Sequence, residues 1–377
     1  MSGGVDSSVA AALLKRDGFD VLGVYMKCWV EGASCTTVED ERAARLAAAH
    51  IGIPFYTWNF LKEYKERVVD YMLQGYKDGV TPNPDMMCNK EIKFGLFFEK
   101  ARKLGADYIA TGHYARVRWY PSGRTGGSPT PAVGVRLRSR RENSHFIRNQ
   151  SSHASEGFSR MATNSPILLE AADKNKDQSY FLSFIKSEVL PYVLFPIGEY
   201  TKPQVRQLAV RFGLPNAYRK DSQGICFIGK VNFADFLKQH IPCEQGSIVD
   251  TAGKILGKHQ GLALYTIGQR KEIRLSGGPW YVVEKNHKTN TLIVSKDEKE
   301  LGKEGAAITH MNWLSDALLE DSQKVDVKIR YRTSPVPAHL EFVRSQASNI
   351  SSYKLIFEKP QRAVTPGQFA VLYKGEE

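Results

Sequence analysis

A carboxylate, a thiol and two lysines lie close together near the start of a predicted helix. Asp85 and Cys88 follow a loop that two prolines stiffen, and Lys90 and Lys93 come directly after them. A thiol beside a helix N-terminus and two cations is expected to ionise readily, which makes Cys88 a candidate nucleophile. The alternative is a buried, inert cysteine, the usual fate of a free thiol. Cys226 lies between glycines in a loop, and taken alone it too would be structural.

The chain starts with a glycine-rich stretch, Ser2 to Ser8, that leads into an alanine- and leucine-rich helical pattern. Its glycines let the backbone approach a ligand closely, and the unpaired N–H groups at a helix start suit a phosphate. The spacing matches neither the Walker A loop nor the dinucleotide-binding motif. It resembles the pyrophosphate loop Ser-Gly-Gly-x-Asp-Ser of the ATP pyrophosphatases, which split ATP to AMP and pyrophosphate. A glycine turn closed by a Ser or Asp cap is the alternative.

Short apolar runs alternate with helical patterns in the first part of the chain. The patterns predict strands at 21–26, 53–58 and 108–111, and helices at 37–50, 61–76 and 90–104. This alternation predicts a doubly wound α/β domain with ligands at the carboxyl ends of parallel strands. After residue 246 helical patterns largely disappear, and alternating segments separated by turn residues predict a small β-barrel or sandwich.

The 377 residues are enough for two or three domains. The predicted division is a catalytic domain at 1–199, a central domain at 200–275 and a β-barrel at 276–377. Residues 120–165 are rich in Ser, Arg, Gly and Pro, and we interpret them as a mobile insertion. No apolar run is long enough to predict a membrane span.

The net charge of +12 gives weak support for a polyanionic partner, because it is concentrated in one region. Residues 116–160 hold nine arginines against two acidic residues. The five cysteines are thinly spread and include no Cys-x-x-Cys pair. This pattern argues against a secreted disulfide framework and a zinc ribbon, and it favours a reducing compartment.

Longer motifs carry a more specific resemblance. In chain order they are Ser-Gly-Gly-Val-Asp-Ser, Thr-Pro-Asn-Pro-Asp-x-x-Cys-Asn-Lys-Glu-Ile-Lys-Phe, Gly-Ala-Asp-Tyr-Ile-Ala-Thr-Gly-His-Tyr, Lys-Asp-Gln-Ser-Tyr-Phe-Leu and Gly-Ile-Cys-Phe-Ile-Gly. Shorter ones follow at 257–261, 266–271, 280–284 and 328–332. Together they resemble the tRNA-specific 2-thiouridylases, the sulfurtransferases that thiolate the wobble uridine of tRNAs for Lys, Glu and Gln. The resemblance covers nearly the whole chain apart from the insertion.

The resemblance implies a mechanism and a set of site residues. ATP, with Mg²⁺, would adenylate the C2 oxygen of uridine so that AMP becomes the leaving group. Cys226 would carry sulfur as a persulfide, and Cys88 would release that sulfur with formation of a Cys88–Cys226 disulfide. Asp85 would be the general acid or base. The residues implied for ATP binding are Ser2, Gly3, Gly4, Val5, Asp6, Ser7, Ser8, Met26 and Gly112. Those implied for tRNA are Asn83, Pro84 and Asp85 at the flipped uridine, with Lys176, Asp177, Gln178, Arg330 and Tyr331 elsewhere.

The resemblance also implies partners and a compartment. The sulfur would come from a persulfide donor in a relay that a cysteine desulfurase feeds. The location would be the mitochondrial matrix in a eukaryote and the cytoplasm in a bacterium. Members of the family have an apolar strand before the pyrophosphate loop and one more strand after the position of Lys374. We therefore expect that the chain is trimmed at both ends.

Three alternatives stay open. Another ATP pyrophosphatase acting on tRNA would share the pyrophosphate loop but would not need Cys88 and Cys226. An inactive relative that only binds RNA is disfavoured by the two cysteines and Asp85. No residue is assigned as a metal ligand, yet Cys88, Cys226 and Asp85 could in principle hold an iron–sulfur cluster.

Overall fold

The computed structural model describes residues 1–29, 35–121, 164–220, 233–314, 322–343 and 352–377. Cys226 and nearly all of the predicted insertion at 120–165 lie outside these ranges. Within them, no helix is long and apolar enough to cross a membrane.

The N-terminal part alternates helices with short parallel strands. Helix α1 (Val5–Arg16) precedes strand β1 (Gly23–Lys27), and α2 (Cys35–Ile51) connects β1 to β2 (Phe55–Asn59). The two strands pair in parallel along their whole length. The α/β class that the alternating pattern predicts is therefore present in the structure.

Two long helical segments follow β2, and each contains a π-helical stretch. In the first, α3 (Leu61–Tyr64) continues through Lys65–Val69 into α4 (Asp70–Lys77). In the second, α5 (Pro84–Met87) continues through a π-helix at Cys88–Phe97 into α6 (Phe98–Lys103). The second segment begins at Pro84 rather than at the predicted residue 90, because Asn83 caps it and proline suits a first helical position.

Four short strands complete the sheets of the N-terminal part. Strand β3 (Ile109–Ala110) pairs in parallel with β6 (Val193–Leu194). Strands β4 (Ala115–Pro121) and β5 (Asn164–Glu170) pair antiparallel on either side of the insertion. The parallel strands of the described residues thus form two separate pairs rather than one continuous sheet. The start of the chain lies along β1, where the amino group of Met1 donates to the carbonyl of Val24.

Helix α7 (Ser179–Leu182) and a 3-10 helix at Ser187–Tyr192 lead to α8 (Lys202–Arg211). Thr201 and Gln204 form a capping box at the start of α8. Val205 and Ala209 of α8 pack with Val9 of α1 in one buried cluster. Residues beyond the predicted boundary at 199 therefore contribute to the core of the N-terminal part.

A four-stranded sheet occupies the middle of the chain. After α9 (Phe233–His240), strands β7 (Gly246–Asp250), β8 (Ile255–His259), β9 (Tyr281–Asn286) and β10 (Thr291–Ser295) form a sheet in the order β8-β7-β10-β9. Its buried face includes Ile248, Val282 and Leu292. The predicted boundary at residues 275 and 276 therefore divides the strands of a single sheet.

A five-stranded antiparallel sheet ends the chain. Its strands are β11 (Gly302–Ile308), β12 (Ser322–Lys328), β13 (Val336–Val343), β14 (Ser352–Arg362) and β15 (Val371–Tyr373), in the order β11-β14-β13-β12-β15. Alternate residues such as Val325, Val327 and Leu340 point into the core, as period-2 patterning requires. This sheet matches the β-rich C-terminal part expected from the sequence.

Three buried charged residues tie this last sheet to the N-terminal part. We call Glu170, Asp177 and Lys328 the interdomain charge cluster; they are 8%, 4% and 7% exposed. Lys328 of β12 donates to Glu170 and, at 3.2 Å, to Asp177. Because these groups lie far apart in sequence, the pairing fixes the C-terminal sheet against the N-terminal part.

Candidate active site

The glycine-rich start of the chain forms an open helix N-terminus. Gly4 is the N-cap of α1 and no side chain caps the helix there. Gly3 has φ +79°, a conformation that favours glycine. Ser2 N donates to Ser7 Oγ over 3.0 Å, and Ser8 Oγ donates to the carbonyl of Gly4 over 3.1 Å. The serines thus shape the loop and leave the start of α1 without a side-chain cap, an arrangement that suits a phosphate.

Gly112, which follows β3, lies directly against this loop. A Cβ atom added to Gly112 would be 2.6 Å from the backbone nitrogen of Ser7. Only glycine allows this approach, so two segments that the sequence assigns to ATP binding are in contact. Met26, at the carboxyl end of β1, is half-buried against the neighbouring apolar cluster. This cradle fits a nucleotide phosphate chain next to a strand end.

The polar loop after α8 holds the glycine-rich loop in place, a role that the sequence did not reveal. Asn216 Nδ2 donates to the carbonyl of Gly3 over 2.8 Å and to Ser8 Oγ over 3.0 Å. Arg219 donates to the same carbonyl and pairs with Asp40. These contacts join the loop to the chain segment that leads to Cys226.

Asp6 is bound by a lysine and a tyrosine. Lys202 Nζ lies 2.8 and 2.9 Å from its two carboxylate oxygens, and the Tyr114 hydroxyl donates to Oδ1 over 2.9 Å. The carboxylate is therefore neutralised within the protein. A Mg²⁺ ion accompanying ATP would have to take its ligands from the phosphates or displace Lys202. Among the described residues, no group of three or more His, Cys, Asp or Glu side chains is arranged to hold a metal ion.

Cys88 is buried in the first turns of the second helical segment. It is 8% exposed and lies in an apolar cluster with Tyr64, Met72 and Ile92. The Tyr64 side chain hydrogen-bonds the thiol. Asp85, one turn earlier, is half-buried. The two groups expected to carry the chemistry therefore lie on the same stretch of helix, with a buried tyrosine beside them.

Burial sets the protonation of these groups. It raises the pKa of Asp85, against the opposing charge of Lys93. It also raises the pKa of Cys88, again against Lys93. The expectation that the helix start and two lysines lower the pKa of this thiol is therefore wrong for the structure as it stands. Because the helix begins at Pro84, its free N–H groups lie before Cys88 in the chain and do not stabilise the thiolate. Desolvation raises the pKa of the thiol by more than one lysine lowers it.

His113 connects the thiol region to the loop region. Its Nε2 atom lies 3.4 Å from Lys93 Nζ, and its Nδ1 atom lies 2.7 Å from Thr111 Oγ1. The ring is 8% exposed, and burial together with Lys93 lowers its pKa well below the usual value. His113 follows Gly112 directly, so consecutive residues contact the loop and the lysine beside the thiol.

A cavity of 270 Å³ brings together three of the residues expected to bind tRNA. Asn83 of the helix cap faces Arg330 and Tyr331, which follow β12. The remaining lining residues are Tyr180, Thr266 and Gln368. Arg330 donates to the carbonyls of Ile267 and Ala363. The cavity is therefore lined by the N-terminal part and by loops of the middle and C-terminal parts of the chain.

Gln368, which the sequence did not single out, anchors this arrangement. Its Nε2 atom donates to the carbonyl of Thr81 over 2.7 Å, and Thr81 N donates to Pro366 O over 2.9 Å. The loop before Asn83 is thus hydrogen-bonded to a loop of the C-terminal sheet. Movement of that sheet would move the start of the helix that carries Asp85 and Cys88.

The other expected tRNA contacts lie away from the cavity. Asp177 is buried and accepts from Ala171 N, Ser179 and Lys328. Gln178 exchanges hydrogen bonds with the backbone of Tyr114. Lys176 is half-buried in the adjoining turn. The carboxylate of Asp177 therefore forms its hydrogen bonds with groups inside the protein. Cys226 lies outside the described residues.

Three protein-family models together match nearly the whole chain. Residues 1–230 match the tRNA methyl transferase HUP domain, 234–296 the tRNA methyl transferase PRC-barrel domain, and 303–377 the aminomethyltransferase beta-barrel domain.

Curated relatives agree along the whole chain. The tRNA-specific 2-thiouridylase MnmA of Bacillus cytotoxicus is 42% identical over the full chain and 91% of its own length. The proteins of the same name from Lysinibacillus sphaericus and Bacillus anthracis are 40% and 41% identical, over 90% and 91% of their lengths. The chain belongs to the family of tRNA-specific 2-thiouridylases.

Proposed function

We propose that the protein is an ATP-dependent tRNA sulfurtransferase that converts the wobble uridine to 2-thiouridine. One observation carries this conclusion: Gly112 contacts the glycine-rich loop at Ser7, and the next residue, His113, contacts Lys93 beside the thiol site. An adenylating site and a sulfur-transferring site are therefore adjacent. A uridine in the cavity lined by Asn83 would lie at the start of the helical segment that carries Asp85 and Cys88.

The residues of the loop would hold the triphosphate of ATP at the start of α1, with Asn216 and Arg219 fixing the loop from behind. ATP supplies the AMP group that turns the C2 oxygen of uridine into a leaving group, and Mg²⁺ would accompany its phosphates. Asp85, whose pKa burial raises, would exchange a proton with the base. Asn83 and Pro84 would place the flipped uridine against it.

Sulfur transfer would then proceed through two cysteines. The Cys88 thiolate attacks the Cys226 sulfur atom that carries the persulfide, so the persulfide S–S bond breaks and a Cys88–Cys226 disulfide forms. The released sulfide adds to C2, and AMP departs with the oxygen. A thiol reductant returns the disulfide to two thiols.

The substrates and partners follow from the same proposal. The tRNAs would be those for Lys, Glu and Gln, bound in part through Arg330, Tyr331, Lys176 and Gln178. A relay donor charged by a cysteine desulfurase would load Cys226. We place the division between the central part and the last sheet after β10, because β10 pairs with β7, which precedes residue 275, and β9 pairs with β10. The compartment would be the mitochondrial matrix or the bacterial cytoplasm.

A reconstituted reaction with ATP, tRNA and a persulfide-loaded donor tests the proposal. Cys88→Ser and Cys226→Ser should each reduce 2-thiouridine formation by at least ~100-fold, as measured by nucleoside mass spectrometry. Both variants should keep ATP-dependent release of pyrophosphate. Cys243→Ser is the matched control, since Cys243 is a free, half-buried cysteine outside the site. Normal thiolation by Cys88→Ser would overturn the assignment.

A further inference from the structure

Lys93 lies among three groups whose protonation matters to the proposed reaction. Its ammonium interacts electrostatically with Asp85, Cys88 and His113. Within the described residues its hydrogen bond goes to His113 Nε2, at 3.4 Å, and it forms no ion pair with Asp85. The Lys93 ammonium therefore interacts with several groups and is not paired with a single carboxylate.

The π-helix explains why Lys93, and not Lys90, serves Cys88. A π-helix bonds residue i to residue i+5, so side chains five positions apart lie on one side of it. An α-helix would turn the fifth residue roughly 0.4 of a turn away. The segment Cys88–Phe97 is π-helical, which aligns Lys93 with Cys88. The Lys90 ammonium lies instead 4.4 Å from the centroid of the Phe184 ring.

His113 holds the lysine in this position. A lysine ammonium only donates hydrogen bonds, so Nε2 of His113 must accept. The other ring nitrogen then carries the proton and donates to Thr111 Oγ1, at 2.7 Å. Thr111 and His113 follow β3 directly, so the end of a strand sets the tautomer. The ring is kept neutral by burial and by the ammonium beside it.

We propose that Lys93 is a positioning residue whose ammonium is the shared counter-charge for the Cys88 thiolate and the Asp85 carboxylate. The two anions repel each other in a buried site, and Lys93 offsets that repulsion while His113 fixes the ammonium. Among the described residues, the groups that act on the thiol are Lys93, Asp85 and Tyr64. The sulfur transfer that requires the Cys88 thiolate rests on the proposed function. The ionisation of Cys88, in contrast, can be measured in the protein without any substrate.

Titration of the Cys88 thiolate in two matched variants tests the proposal. Thiolate formation is followed by ultraviolet absorbance, as the difference between each protein and its Cys88→Ser counterpart. Lys93→Met should lower the thiolate population roughly tenfold at a given pH below the titration midpoint. Lys90→Met, three residues away on the same helix, should change it by less than about twofold. Equal shifts in both variants, or no shift in Lys93→Met, would refute the proposal.

Further variants separate charge from structure. Lys93→Arg keeps the charge and should restore most of the thiolate, whereas a purely structural lysine would not be rescued in this way. If Lys93→Met fails to fold, Lys93→Gln, which still donates to His113, is titrated in its place with the same expected loss. The pH profile of sulfur transfer should move to higher pH in Lys93→Met and stay in place in Lys90→Met. Absence of thiolation in the unmutated protein would contradict the proposed function and leave the titration result intact.

Discussion

The interdomain charge cluster and the thiol site are both buried and charged, yet they are built in opposite ways. In the cluster, Lys328 donates to Glu170 and to Asp177. Burial alone would raise the pKa of Glu170, but the hydrogen bonds from Lys328 and Lys174 outweigh it and lower that pKa. In the thiol site, Lys93 opposes burial without overcoming it, and the pKa values of Asp85 and Cys88 are raised.

The two sites differ in how completely their charges are paired, and this distinguishes charges that stabilise the fold from charges that take part in chemistry. A fully paired cluster keeps one protonation state and stabilises the contact between two parts of the chain. Groups that lack full pairing exchange protons more easily, which acid–base and thiol chemistry require. The structure therefore indicates which substitutions should change stability and which should change reactivity.

Removal of Lys328 should have the largest effect on stability. Lys328→Met leaves the buried Asp177 without its cation and Glu170 with only the partly exposed Lys174, which should cost about 3–5 kcal/mol of unfolding free energy. Lys324→Met is the control on the same strand, because its ion pair with Glu358 is exposed and solvent screening leaves such a pair little effect on stability. Chemical denaturation of both variants measures the difference. Equal losses would remove the distinction between paired and exposed charges.

The same cluster should give the protein a characteristic sensitivity to acid. The pKa of Glu170 is lower in the folded protein than its ordinary value of 4.5, so the folded state binds fewer protons there than the unfolded state. This stabilisation is present above the ordinary value and is lost as pH falls through the folded value. In Lys328→Met the loss of stability on acidification should be smaller. A steeper loss in the variant would contradict the role of Lys328.

Lys285 is a buried charge outside both sites, and it tests the comparison between paired and unpaired buried charges. Its ammonium nitrogen is buried and has no hydrogen-bond partner in the described part of the chain. Burial lowers its pKa to about 8, from 10.5. Because the unfolded state binds the proton more tightly, the charge costs stability at neutral pH, and the cost disappears as pH rises from 8 to 10.5.

Lys285→Met should therefore increase the unfolding free energy by roughly 2–3 kcal/mol at pH 7, and by less than about 1 kcal/mol near pH 10. Denaturation at the two pH values measures this. Lys288→Met, an exposed lysine in the following turn, is the control and should be neutral. A stability loss in Lys285→Met would show that this ammonium is paired after all.

Much of the fold was predictable, because it depends on local patterns. The alternation of apolar runs and helices located α1, α2, β1 and β2, and the alternating segments after residue 246 predicted the β-rich C-terminal part. The start of the second helical segment was misplaced because capping by Asn83 and the π-helix depend on contacts with the rest of the chain. The strands flanking the insertion were missed because the pairing between β4 and β5 is long-range.

Residues of the site divide in the same way. Motifs located the loop, Cys88, Asp85 and the pair Arg330 and Tyr331, which carry the resemblance themselves. The supporting residues were missed because their neighbours are distant in sequence and no local pattern marks them. They are Tyr64, Lys202, Asn216, Arg219 and Gln368.

Asp85 should give the smallest change in stability and the clearest division between stability and function. Its carboxylate is disfavoured by burial and forms no ion pair in the described residues, so Asp85→Asn should stabilise the fold slightly, by about 1 kcal/mol or less at pH 7. The same change removes the carboxylate that acts on the thiol in the described part of the chain, and it should stop thiolation. Asp78→Asn, at an exposed helix end, should leave thiolation unchanged. Thermal melting and nucleoside mass spectrometry of both variants measure the two effects. A destabilised Asp85→Asn protein would mean that Asp85 is a structural charge like Glu170. It would also contradict the view that charges at the thiol site favour reactivity at a cost in stability.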